Sequence, residues 1–346
     1  VRDASRASDA APASLSGLPL VVPVVSGAGG VGRSTLAALL AAALSDRATS
    51  PERQTVAVCD VSPRAASPWP GWVDHTAERG TGWLATCASQ PDQFAREVRR
   101  STSALDRDGT GPIWVLTDTG PLNPAFSGTY NAPLLWAPLL RYVRAAVIDA
   151  DPFEASRLTR QCDGGPLSTT AAWMAARSAR TAAVWVTDPG PAGLARTLEA
   201  VTAAERCGLP MGQFVVAVND VRGHGWLPRS RSRHTLLADR VGAIVELGHN
   251  AALREGGRPL RPSRDGAGRD AVGRAAARLA DAVIAAAQPP ALSSVPSATS
   301  PLPPATSPLP PAISPLPPAT PAPAQSFAER TPSNVAPLAC SVSALG

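Results

Sequence analysis

Apolar runs of four to seven residues alternate with longer Ala/Leu/Arg-rich stretches from Leu18 onward. The runs LVVPVV (20–25), TVAVC (55–59), IWVLT (113–117), AAVID (145–149), AVWVT (183–187), FVVAV (214–218) and VGAIV (241–245) have the length and β-branched content of strands. The stretches 33–46, 91–100, 133–143, 168–179, 192–207 and 268–287 predict helices. Strands and helices in regular alternation form βαβ units. The prediction is therefore an α/β fold, a mostly parallel sheet flanked by helices on both faces. Pro23 is awkward inside the first run, because proline has no N–H to give a central ladder.

Composition sets the domain limits. Residues 288–346 hold 16 of the 37 prolines and almost no charge, and residues 1–17 are Ala/Ser/Asp/Arg-rich without apolar periodicity. Neither end can bury enough apolar surface to offset its ordering entropy. The prediction is a disordered N-terminal segment (1–17), one α/β domain (18–287) and a proline-rich low-complexity tail (288–346). The tail repeats SPLPPAT, SPLPPAI and SPLPPAT from Ser300, Ser307 and Ser314, which favours extended polyproline II. Such a tail serves as a semi-rigid spacer or as a docking strip for an aromatic-lined groove. Segment 61–112 is the least regular part of the core, and its Trp69, Trp72 and Trp83 read either as buried side chains or as a face for a protein partner.

Five scattered cysteines without a CxxC pair, and four unclustered histidines, argue against a disulfide framework or a zinc site. They fit a reducing cytoplasm. The first apolar run is too short to span a membrane, so the expectation is a cytoplasmic protein without stable membrane insertion.

The chemistry concentrates after the first predicted strand. From Gly27 the chain reads G-A-G-G-V-G-R-S, a phosphate-binding loop in every defined position except the lysine, which is Arg33. Glycines let backbone N–H groups converge on phosphate oxygens, and a following helix aims its N-terminal dipole at the same charge. Ser34 stands where a hydroxyl would ligand Mg²⁺. All 32 basic residues are arginine. Residues 222–278 carry 12 of them against five carboxylates, and RSRSRH (229–234) is the densest part. That segment is either a solvated face or a surface for the DNA backbone or anionic lipid.

GAGGVGRST resembles the deviant phosphate loop of the ParA/MinD ATPases, a family of P-loop NTPases whose pattern is close to GKGGVGKST. The similarity continues in order. VAVCDVSPR (56–64) is similar to the second strand and first switch, YVRAAVIDADP (142–152) to the Walker B strand, AAVWVTDPGPAGLARTLEAV (182–201) to the next strand and helix, GQFVVAVNDV (212–221) to the strand ending in a base-contacting Asn, and VGAIVELGHNAALREGG (241–257) to the last strand and loop. The resemblance implies that Gly27, Gly29, Gly30, Val31, Gly32, Arg33, Ser34 and Thr35 surround the phosphates of ATP, with Asn219 on the base. It implies Ser34, Asp60 and Asp149 around Mg²⁺, and Asp60, Ser62 and Asp149 as the residues nearest the chemistry. Asp118, in VLTDTGP, is a rival to Asp149 for the Walker B position.

Three departures from the family pattern bear on activity. The signature lysine that reaches across a dimer is Ala28, the phosphate-loop lysine is Arg33, and the second acidic position of D-x-D-P is Ser62. Arginine keeps the charge but replaces a compact ammonium by a planar fork, and a serine hydroxyl is a poor base. The expected function is an ATP- and Mg²⁺-binding, ParA/MinD-like switch with slow or absent hydrolysis, in which segments 61–90 and 149–168 respond to nucleotide. An active partition or positioning ATPase on non-specific DNA and a pseudo-NTPase scaffold are the alternatives, and a homodimer and a protein partner are compatible with each.

Overall fold

The computed structural model describes residues 18–47, 56–61, 67–73, 90–105, 113–117, 138–150, 154–160, 168–175, 179–223, 225, 228–249 and 271–287. They lie within one compact unit, Val1–Ser293; the second unit, Ser294–Gly346, lies outside the described residues, as do the predicted tail and N-terminal segment.

The described strands are β1 (Leu20–Ser26), β2 (Val56–Asp60), β3 (Ser103–Ala104), β4 (Ile113–Leu116), β5 (Ala145–Asp149), β6 (Arg180–Thr181), β7 (Ala183–Thr187), β8 (Phe214–Asn219) and β9 (Ala243–Leu247). They form one sheet in the order β3-β4-β2-β5-β1-β7-β8-β9, with β6 also on β1. Every pairing is parallel except the short β3–β4 pair at one edge. The helices are α1 (Arg33–Asp46), α2 (Trp69–Trp72), α3 (Pro91–Arg100), α4 (Glu154–Arg160), α5 (Thr169–Ala175), α6 (Pro191–Arg206), α7 (Pro228–Ala238) and α8 (Ala271–Ala286).

Alternation along the strands assigns the helices to faces. Leu20, Val22, Val24, Val56, Val58, Val147 and Val184 turn toward α1 and α8, together with Trp69 and Trp72. Their neighbours Val21, Ala57 and Ile148 meet Phe94 and Val98 of α3 and Trp173 of α5 on the opposite face. On that side Val25, Trp185 and Val216 pack on Ala200 and Ala204 of α6. Helix α1 is buried from Leu36 to Ser45 because it lies between the sheet and α8, so its sequence is apolar on all sides. Its Ala content lets backbone and sheet approach closely.

Arg47 closes that helix. Its Nε lies 2.7 Å from Asp281 Oδ1, Nη1 donates to the Ala43 carbonyl and Nη2 to the Ala277 carbonyl, so one side chain caps α1 and ties it to α8. Asp281 is 45% exposed, which screens the ion pair. Arg47→Ala is expected to lower stability by about 1–2 kcal/mol, mostly from the two carbonyl contacts, and a urea midpoint measurement checks it.

Pro23 is accommodated by a break in one ladder. Leu20 donates to the Arg144 carbonyl and Ala150 donates to the Val24 carbonyl, so the even-numbered residues of β1 face β5 and Pro23 faces β6 and β7. On that side the pairing stops after Val21–Thr181 and resumes at Val24–Val184, which is why β6 and β7 are separate strands.

Some predicted limits change. The last strand begins at Ala243, two residues later than the apolar run suggested, because a Cβ on Gly242 would lie 2.1 Å from the Gly212 carbonyl oxygen. That close approach turns the chain before the ladder starts. In place of a helix over 133–143, a 3-10 turn, Leu139–Arg141, is described, and residues 133–137 lie outside the described residues. Of the helix predicted over 168–179, Thr169–Ala175 is described, and residues 176–178 lie outside the described residues. Three helices were not predicted: α2, α4, and α7 across the RSRSRH stretch. The cysteine reading is also corrected. Cys207 is disulfide-bonded, its partner lying outside the described residues, so sequence spacing did not exclude a bridge. What a bridge requires is Cα proximity, which spacing does not show. The cysteines therefore no longer argue for a reducing compartment. Among the described residues no helix is long and apolar enough to cross a membrane.

Candidate functional site

The glycine-rich segment joins β1 to α1 at the carboxyl edge of the sheet. Ser26 donates its hydroxyl to the Ala28 carbonyl at 3.0 Å, and the chain then turns through Gly30 and Gly32, whose φ angles are 73° and 82°. Gly32 is constrained twice, since a Cβ there would also lie 2.5 Å from Asn219 Nδ2. Gly29 and Gly30 are exposed, with nothing within 4 Å of where a Cβ would point. The first intrahelical bond of α1 runs from Leu36 to the Gly32 carbonyl, and no side chain caps the helix. The N–H groups of Arg33, Ser34 and Thr35 therefore have no acceptor within the helix, and they sit at its positive end. This is a cradle for an anion on a fourteen-residue helix.

Asp60 and Asp149 end the adjacent strands β2 and β5 and are register partners. Asp149 is fully buried, and both of its oxygens are engaged. Arg33 Nε donates to Oδ1 at 2.7 Å, and the Trp69 indole Nε1 donates to Oδ2 at 2.8 Å. Arg33, in the lysine position of the loop, thus turns to the strand-end carboxylate. Asp60 Oδ2 accepts from Ser67 Oγ at 2.5 Å and from Thr117 Oγ1 at 2.9 Å. The Trp69 backbone N–H donates in turn to Ser67 Oγ. Beside Asp60, burial first and the neighbouring carboxylate second push the Cys59 thiol well above the usual cysteine range. Cys59 is therefore expected to stay protonated and to resist iodoacetamide at pH 8 in the native state, and to react once urea unfolds the chain.

Asn219, at the end of β8, donates Nδ2 to the Val31 carbonyl at 2.8 Å and so holds the loop from the other side. It also lines a cleft of about 100 Å³ with Gly32, Thr35, Leu36, Val221, Leu247, His249 and Val272. His249 Nδ1 lies 3.1 Å from the Asp220 carbonyl, which can only accept, so Nδ1 carries the proton in this arrangement. The cleft is largely apolar and opens beside the first turn of α1, a shape that suits a heterocyclic base next to the phosphate cradle.

The structure brings Gly27 to Thr35, Asp60, Asp149 and Asn219 to one edge of the sheet, while Ser62 and Asp118 lie outside the described residues. Most of segment 61–90 and half of segment 149–168 also lie outside them. Sequence reasoning missed Ser67, Trp69 and Thr117 as neighbours of the carboxylates, and Val221, Leu247 and His249 as cleft residues. Trp69 carried only a compositional signal, one of three tryptophans in an irregular stretch.

Mg²⁺ fits the donor chemistry. No group of three or more His, Cys, Asp or Glu occurs among the described residues, which excludes an all-protein cage there. A hydroxyl at Ser34 with carboxylates at Asp60 and Asp149 is the sparse oxygen set that suits a cation keeping waters and phosphate oxygens.

A glycine loop between the first strand and first helix of a parallel sheet, with an acidic residue ending the adjacent strand, defines a P-loop nucleotide-binding fold. Within that class the chain has the ParA/MinD-like ATPase fold. A ParA family ATPase from Chlorobium tepidum TLS is similar at 12% identity and a TM-score of 0.50, covering 75% of this chain and 98% of that one. The cell division ATPase MinD of Pyrococcus furiosus is 20% identical with a TM-score of 0.48, covering 77% of this chain and 98% of that one. The septum site-determining protein MinD of Pyrococcus horikoshii OT3, complexed with Mg-ADP, is 18% identical with a TM-score of 0.46, covering 76% and 94%. No family model and no curated protein matches the sequence.

Proposed function

We propose that the chain binds ATP with Mg²⁺, hydrolyses it slowly or not at all, and uses the bound state to control an interaction with a protein partner. The observation that carries this reading is the Arg33–Asp149 pair. Arg33, in the lysine position of the loop, is hydrogen-bonded to the carboxylate that ends β5. Asp149 is preferred to Asp118 in the Walker B role because it ends the strand beside β1 and pairs with the loop's own side chain. Phosphoryl transfer rests on positioning and charge stabilisation, so a loop arginine directed at a carboxylate weakens turnover more than binding. Ser34 and the two strand-end carboxylates would hold the cation, which supplies charge neutralisation at the phosphates when bound.

Equilibrium dialysis of labelled ATP, with Mg²⁺ and with EDTA, tests the binding half; no uptake at millimolar ligand overturns it. Phosphate release tests the other half. Arg33→Lys is expected to raise turnover by roughly tenfold or more, since single charge-stabilising contacts are commonly worth that much. An unchanged rate moves the block to Ala28 and Ser62.

A partition-type ATPase on DNA is the second reading, favoured by the exposed Arg222 and Arg231 at and before α7. Arg233 of the same helix donates instead to the Pro191 carbonyl of α6, which reduces the charge available to a phosphate backbone. Binding to non-specific duplex that weakens steeply with salt would support this reading.

A further inference from the structure

The segment 67–73 lies within the stretch 61–90 expected to respond to nucleotide, and it touches both strand-end carboxylates. Ser67 Oγ donates to Asp60, the Trp69 backbone donates to Ser67 Oγ, and the Trp69 indole donates to Asp149. Trp69 is completely buried and packs edge-to-face on Trp72, ring centroids 5.2 Å apart. An indole N–H is a donor only, and in a dry site it needs an acceptor; the one it has is the oxygen of Asp149 that Arg33 leaves open. Asp149 is 0% exposed, so nothing reaches its carboxylate from solvent until one of these two donors moves. Arg33 starts a long packed helix, whereas Trp69 belongs to a four-residue turn containing Pro70 and Gly71.

We propose that Ser67–Trp72 is a latch, with Trp69 its positioning residue. It holds Asp149 through the Trp69 indole and is displaced when magnesium-bound nucleoside triphosphate enters the loop. The inference rests on the nucleotide reading above and adds to it the element that moves. Latch and ligand compete for one carboxylate, so the apparent affinity for Mg-ATP is lowered by the fraction of molecules that are latched. ATP without the cation makes no demand on Asp149 and leaves the latch closed.

Two measurements on the full chain test this. In indole ¹⁵N–¹H spectra, with Trp69 assigned by comparison with Trp69→Phe, saturating ATP and Mg²⁺ are expected to move the Trp69 resonance, and ATP in EDTA is expected to leave it in place. In equilibrium dialysis, Trp69→Phe keeps the ring but lacks the donor; it is expected to bind Mg-ATP about tenfold more tightly while changing ATP affinity in EDTA by less than about twofold. A Trp69 resonance that ignores Mg-ATP, or a variant that binds Mg-ATP no tighter than the parent, overturns the latch alone. Absence of ATP binding under both conditions overturns the nucleotide reading and the latch together. Should Trp69→Phe not fold, Ser67→Ala takes its place in the dialysis. The spectra of the parent, with Trp69 assigned by sequential labelling, decide independently.

Discussion

Asp149→Asn is expected to destabilise the protein by about 3 kcal/mol, the scale on which breaking a buried ion pair from one side operates. The geometry explains why an isosteric change is so costly. Oδ1 accepts from Arg33 and Oδ2 accepts from Trp69, so the carboxylate satisfies two donors at once. An asparagine has one oxygen and one NH₂ group, and whichever way the amide is turned, one donor faces another. Arg33 is only 10% exposed, so water compensates little. Arg33→Met should be damaging for the converse reason, leaving a buried carboxylate with the indole but without that cation. The double variant Arg33→Met/Asp149→Leu should lie closer to the parent than the sum of the single changes, with a coupling of roughly 1–3 kcal/mol by urea denaturation. Additive losses would mean that the pair contributes nothing as a pair.

Gly32→Ala carries the second large effect, on stability and binding together. A left-handed backbone costs a non-glycine residue about 1–2 kcal/mol, and the new methyl would lie 2.5 Å from Asn219 Nδ2. Asn219 must retreat, and its bond to the Val31 carbonyl goes with it, for a total near 2–3 kcal/mol. Because Asn219 and Gly32 both line the cleft, ATP affinity should fall by at least about tenfold. Gly29→Ala is the matched control. Its φ is not positive and its Cβ would meet nothing, so thermal unfolding should shift by no more than about 0.5 kcal/mol. Equal losses in the two variants would show that the loop responds to any added methyl and that the Asn219 contact has no special part.

The glycine loop was legible because its residues are consecutive and each has a local reason. The strands were legible where burial on both faces makes a continuous apolar run, as in β1, β5 and β7. Legibility failed where the cause is a contact between distant residues. Trp69 and Asp149 are 80 positions apart, and Arg33 and Asp149 are 116 apart, so no window of sequence holds either pair. Helix α7 was missed because, among its described side chains, Ser230 and Leu237 alone are fully buried, too sparse a stripe to read through five alternating Arg and Ser residues. Strand β9 was read as ending before Glu246, yet an edge strand tolerates a charge turned to solvent, and Glu246 is exposed within the ladder.

The gap opposite Pro23 has a mechanical consequence. The half of the sheet formed by β7, β8 and β9, with α6 and α7, is joined to β1 by two short seams instead of one continuous ladder. The upper seam is three residue pairs, Val24 to Ser26 with Val184 to Val186. It lies directly below Gly27, where a Cβ would lie 3.4 Å from the Trp185 ring and 3.5 Å from Arg196. A strain imposed on the loop reaches that half of the molecule through a narrow joint, and the missing proline donor makes the joint softer than a full strand would be.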